Sequence, residues 1–221
     1  MNQATPVAVT MTLIWEWPLR VWHWLFALCI GGSLVTGLSG DIGWMDWHLR
    51  FGYCVCGLLL FRVFWGFFGG EYSRWRNYLV SPTGIVTHFR GAATAAAHTA
   101  PGIALVLLLL AAVTVQAVTG LFTTDDIFIE GPLVRSADDS LVSAMTAIHH
   151  RAFYLVIAAI VIHLSAHVVY GLQGSRMPLS MFTGRKAVAA TVTQTPSRGW
   201  QAMVIAALVI GIVVGGLQAL T

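Results

Sequence analysis

Five stretches of the chain are apolar for long enough to cross a bilayer: residues 21–39, 51–69, 101–122, 149–172 and 202–220. A helical span needs about 20 residues. None of the five contains Asp or Glu. Backbone groups in lipid must be satisfied within their own segment, so each stretch is predicted to be an α-helix. The first reads as a permanent helix rather than a cleaved leader. No Lys or Arg precedes Arg20, and no A-x-A site follows the apolar run.

The polar segments between the spans differ in charge. Arg20 precedes the first span, Arg74, Arg76 and Arg90 follow the second, and Arg176, Arg185, Lys186 and Arg198 follow the fourth. On the other side Arg135 is set against Asp41, Asp46, Asp125, Asp126, Glu130, Asp138 and Asp139, a net −6 that leaves out Arg50 at the edge of the second span. The positive-inside rule then places the N-terminus in the cytoplasm and the C-terminus outside.

Composition agrees with a membrane protein. Of the 221 residues 57% are hydrophobic and 10% are charged, and mean hydropathy is +0.76. A soluble domain carries roughly 25% charged residues. Trp15, Trp17, Trp22, Trp44, Trp47 and Trp200 flank the spans and read as an interfacial aromatic belt. Cys29, Cys54 and Cys56 lie inside apolar stretches and read as small packing residues. No C-x-x-C-H is present, which excludes a c-type attachment of haem by that motif.

Histidines change the picture. Six of eight, His23, His48, His149, His150, His163 and His167, fall at membrane depth or its edge, where an ionisable side chain marks function by default. His88 reads as a solvated loop residue and His98 as a polar first-turn residue. His149 and His163 are 14 residues apart, which on a helix is about 40° short of four turns and roughly 21 Å along the axis. His150 stands about 140° away from His163 and does not share its face. Matching depths across antiparallel helices pairs His48 with His149 at the outer level and His23 with His163 at the inner level. Two stacked histidine pairs suit iron ligated from both faces of a porphyrin. A divalent-metal transporter would mix acids into such a path, and the spans have none.

The same step of 14 leads from His48 to Arg62 and from His23 to Gly37. Arg62 then lies level with the inner pair, where a haem propionate is the expected partner. Gly37 lies level with the outer pair, where a missing side chain leaves room for a ring.

These residues sit in WPLRVWHWLFA, WHLRFGYCVCGLLLFRVFWGFFG, TGLFTTDDIFIEGP, IHHRAFYLVIAAIVIHLSAHVVY and MFTGRK. Over roughly residues 15–187 this ordered set resembles the bacterial cytochrome b561 and nickel-iron hydrogenase b-type subunit family of dihaem membrane proteins. The resemblance implies an all-α integral membrane fold: a four-helix transmembrane bundle over 1–187, with a linker and fifth transmembrane helix over 188–221 as an addition. It implies two non-covalent haems b, with ligands His23, His48, His149 and His163. His167 competes with His163, since it is 18 residues, five full turns, from His149; the family spacing favours His163. His167 is otherwise a propionate or quinone hydrogen-bond partner, or a satisfied polar group.

The resemblance also implies electron transfer between the quinone pool and a partner in the periplasm, from the bacterial inner membrane. The acidic outer loops suit a basic c-type cytochrome; a hydrogenase or dehydrogenase is the other expectation, and no nucleic acid is. Superoxide:quinone oxidoreductase activity, known among relatives, ranks lower because acidic loops repel an anion. A haem-free anchor or assembly subunit is the alternative from another class. In the fifth span, Gly211 and Gly215 form a G-x-x-x-G face expected to pack on the chain's own bundle.

Overall fold

A computed structural model describes residues 9–90, 97–189 and 191–220. In chain order, β1 (Val9–Leu13) leads into α1 (Trp17–Leu38), α2 (Met45–Phe68), the short α3 (Pro82–Phe89), α4 (Ala100–Gly120) and α5 (Asp139–Leu172). The four-residue α6 (Ser180–Thr183), β2 (Arg185–Ala189) and α7 (Gly199–Leu220) follow. Five helices, α1, α2, α4, α5 and α7, are long and apolar enough to cross a membrane.

The ends of the helices have local causes. Pro18 and Pro101 sit in the first turns of α1 and α4, where a missing N–H is no loss. Thr99 accepts from the Gly102 N–H at the start of α4. Asp138 accepts from the Leu141 N–H at 2.9 Å, which starts α5 ten residues before the predicted span. His149 therefore lies in the third turn of a 34-residue helix rather than at its start.

α1 packs on α2 and α4 on α5, forming two antiparallel hairpins joined through α2 and α4. α7 packs on the outside of α2. A Cβ on Gly57 of α2 would lie 3.6–3.7 Å from Val213 and Val209, so those two valines make the seam. Gly211 lies two residues from each, about 200° round the helix, and a Cβ on Gly211 or Gly215 would meet nothing within 4 Å. The expected packing of the G-x-x-x-G face on the bundle is not made; the small residue at this contact belongs to α2.

The segments on the basic side are stitched together. β1 and β2 pair antiparallel from Val9↔Ala189 to Leu13↔Arg185, so the strand crosses residue 187. Gly184 (φ 76°) accepts from the N–H groups of Ile14 and Trp15, and a Cβ there would fall 2.6 Å from the Trp15 carbonyl, so only glycine fits. Thr195 N–H donates to Leu13 O at 3.1 Å, fastening the linker of α7 to β1. Glu16, 1% exposed, accepts on one oxygen from Trp65 Nε1 (2.9 Å), Gly70 N (2.7 Å) and Ser73 Oγ (2.8 Å). At the opposite end Arg50 and Arg151 stand in the outer turns of α2 and α5, so three arginines face the seven acids there, a net −4.

Candidate functional site

His48 and His149 face each other between the hairpins, with ring centroids 6.3 Å apart and planes at 88°. Each is fixed by the preceding helix of its own hairpin, in the same way. His48 Nδ1 lies 2.9 Å from the Ser33 carbonyl, and His149 Nδ1 lies 2.9 Å from the Gln116 carbonyl. A Cβ on Gly37 would fall 2.9 Å from His48, and one on Gly120 would fall 2.9 Å from His149. Gly37 thus leaves room for the imidazole of His48 itself. Thr36 and Thr119, both 4% exposed, turn their hydroxyls onto the carbonyls of Gly32 and Val115, each at 2.7 Å. The local sequence behind both seats is VTGL, at 35–38 and 118–121. That repeat makes Gln116, Thr119 and Gly120 site residues that spacing between histidines did not reveal.

A carbonyl at Nδ1 accepts a hydrogen bond from Nδ1–H, which keeps the imidazole proton on Nδ1 and leaves Nε2 with its lone pair for a metal. The Gln116 amide donates to that nitrogen of His149 at 3.2 Å and marks it as an acceptor. Both rings line a cavity of about 390 Å³, together with Ser33, Gly37, Gln116 and Gly120 among others. Its size falls in the range of cofactor sites, about 300–1,000 Å³. His150 also lines the cavity, but its ring centroid is 6.1 Å from that of His149 on the adjoining residue and it is exposed. Thr123 and Ile129 close the cavity from the loop after α4.

The residues fit a haem. An imidazole nitrogen sits roughly 2 Å from its metal ion, so two imidazoles on opposite sides of one ion place their centroids roughly 6 Å apart. The observed 6.3 Å meets that requirement. Among the described residues, no three His, Cys, Asp or Glu side chains gather closely enough to hold a metal ion by themselves. A porphyrin supplies the other four nitrogens that two histidines leave to be filled.

The inner level is built from α1, α2 and α5. His163 and His167 stack on successive turns of α5 with centroids 4.6 Å apart at 81°. Both are near enough to His23 to interact with it electrostatically. Arg62, 2% exposed, is enclosed by aromatic rings, its Cζ 4.1 Å from Trp75, 5.0 Å from Tyr78 and 5.8 Å from Trp22. Neither terminal nitrogen has a hydrogen-bond partner among the described residues. A buried guanidinium is costly unless it is compensated; the Tyr78 hydroxyl and the Glu16 carboxylate act on it from nearby, and its terminal nitrogens leave room for a further anion.

His98 is more than the polar first-turn residue that its position suggests. Its ring lies 4.7 Å from Trp15 and 5.2 Å from Tyr78, and Tyr78 Oη is 3.1 Å from its Nε2. Burial first, then the charges of Lys186 and Arg62 and the neighbouring His163, push its pKa down to about 4, so it is neutral near pH 7. His88, on α3, is likewise engaged, 3.2 Å from Tyr170 Oη.

The acidic loop has local duties. One Asp125 oxygen accepts from the N–H groups of Ile127, Phe128 and Ile129 at 2.8–3.0 Å, which holds its carboxyl below the usual range. Asp138 caps α5, and Glu130 pairs with Arg135 at 3.2 Å. The carboxylates of Asp126 and Asp139 make no such bond among the described residues. Only part of the net charge is therefore free to face a partner.

Comparison with known proteins places this architecture. Curated relatives include the probable Ni/Fe-hydrogenase 1 B-type cytochrome subunits of Escherichia coli strain K12 and of Escherichia coli O157:H7. Each is 32% identical over 77 residues, 28% of this chain and 33% of the relative. The matched part thus spans about a third of those proteins. No solved structure matches the chain. The family described as prokaryotic cytochrome b561, whose members are haem-binding four-helix membrane bundles, matches residues 14–184, and the chain belongs to it.

Proposed function

We propose that the protein is a dihaem b-type cytochrome that relays single electrons across the membrane, between the quinone pool and a redox protein at the acidic face. The observation that carries this reading is the His48–His149 pair, 6.3 Å apart with each Nδ1 anchored on a carbonyl. His48 and His149 ligate the outer haem. His23 and His163 ligate the inner one, and Arg62 holds a propionate. The contact of Trp22 with Arg62 supports this assignment, because it sets His23 at the depth of Arg62. Fourteen residues of helix, roughly 21 Å, separate the two levels on α1, α2 and α5 alike.

Haem b, when bound, supplies a one-electron couple at iron. The chain contributes the rest. Ser33 and Gln116 carbonyls fix the imidazole orientation and keep Nε2 unprotonated. With His48 and His149 as one pair of ligands and His23 and His163 as the other, bound iron would have no position open to oxygen or substrate. The apolar walls of the hairpins keep water out. His167, one turn from His163, is placed to hydrogen-bond a propionate or quinone.

The division of basic residues supports a cytoplasmic N-terminus and a periplasmic C-terminus in a bacterial inner membrane. At the outer face, free acids suit a basic c-type cytochrome, and the similarity to Escherichia coli hydrogenase subunits brings a hydrogenase into the same class of partner. Purified protein should show low-spin ferrous b-type bands and two haems per chain by pyridine haemochrome, both extracted by acidified acetone. A haemochrome near zero, or haem retained after extraction, would overturn the proposal.

A further inference from the structure

Tyr78 and His98 form a polar pair at the edge of the inner site, outside the ligand set. Tyr78 is buried, with its ring 5.0 Å from the guanidinium of Arg62 and its hydroxyl 3.1 Å from His98. Trp15 and Trp75 close the surroundings, the first against His98 and the second against both Arg62 and Tyr78. His163 is near enough to act on His98. The pair therefore lies close to both the guanidinium and the proposed inner ligand.

We propose that Tyr78 and His98 are positioning residues that complete, with Arg62, a pocket for one carboxylate of the inner haem, and that they raise its reduction potential. This rests on the dihaem reading above. The Arg62 guanidinium, whose terminal nitrogens lie beside the Tyr78 hydroxyl but meet no acceptor at hydrogen-bond geometry, offers a planar fork to a carboxylate. A neutral imidazole and a phenol hydrogen-bonded to each other use one of their two protons between them and keep the other to donate. The fork and the remaining donor together satisfy a carboxylate in a setting closed to water. Each donor draws negative charge away from the propionate, and less negative charge beside the iron favours its reduced form.

The test is an optical redox titration of the purified holoprotein, with haem content measured on the same samples. The two midpoints are first assigned with His149→Ala, which removes the outer haem. Tyr78→Phe and His98→Leu should keep two haems and move the inner midpoint to lower potential, leaving the outer midpoint in place. His98→Asn keeps a donor and should return the inner midpoint towards that of the unaltered protein. Loss of the inner haem alone from either variant would also support the pocket. Unchanged midpoints would overturn it, as would equal movement of both midpoints, or loss of both haems, which marks a folding role. An unaltered protein without haem would instead remove the reading beneath, so the two failures are distinguishable.

Discussion

Gly120 lies directly beneath His149: a Cβ on the glycine would fall 2.9 Å from Cε1 and 3.2 Å from Nδ1 of the imidazole. Gly37 holds the same place under His48. Gly120→Ala and Gly37→Ala should each push the ligand ring out of line and lower the haem content of purified protein from two per chain to about one. Gly211→Ala is the control, since its Cβ enters open space. An undiminished haemochrome in both site variants would mean that the rings have room to move.

The ligand assignment makes a sharper comparison. His48→Ala or His149→Ala should remove the outer haem, and His23→Ala or His163→Ala the inner one. His150→Ala should keep both, because His149 occupies the carbonyl-anchored seat. If His167→Ala loses a haem while His163→Ala does not, the inner ligand is His167.

Glu16 should matter for stability rather than for the outer haem. Its carboxylate oxygen is the shared acceptor of Trp65, Gly70 and Ser73. Glu16→Ala strands these donors in a buried site, at about 1–3 kcal/mol for each donor left without a partner. The thermal midpoint in detergent should fall clearly, with the outer haem spectrum retained at room temperature. A midpoint that did not move would show that water replaces the carboxylate.

The acidic face predicts salt-sensitive electron exchange with a basic c-type cytochrome. Screening length is about 8 Å at 0.15 M ionic strength, so the rate should fall most steeply below that. The informative substitutions are Asp126→Asn and Asp139→Asn, which leave the Asp125 loop and the Asp138 cap intact. Together they should lower the on-rate and flatten the salt dependence at constant haem content. A rate indifferent to salt would assign docking to apolar contacts instead.

The five spans were legible because length and hydropathy suffice where lipid is the solvent. The outer pair was legible because two helices must bring their histidines to one depth, and a step of 14 residues tracks depth. Other features were not. His98 reads as a first-turn residue because nothing local announces Trp15, 83 residues earlier in sequence, against its ring. The acids of the outer loop read as free charge because a turn in which one carboxylate takes three backbone N–H groups has no hydrophobic period to betray it. The VTGL repeat was in plain view, but only the contacts of Gly37 and Gly120 give it meaning. Gly211 and Gly215 were misread because spacing identifies a close-packing face without saying whether a neighbour is there.

The two hairpins carry matching half-sites, and neither half can grip a planar molecule from both sides alone. Each hairpin has its own seam, α1 on α2 and α4 on α5. A haem held, as proposed, by His48 from one hairpin and His149 from the other would be a clamp between them as well as a redox centre. Its binding free energy adds to the joined state and not to the separate hairpins. Without it the hairpins would still be joined through α2 and α4 and by the pairing of β1 with β2, so the loss would show as a lower unfolding midpoint of an intact bundle rather than as separated halves.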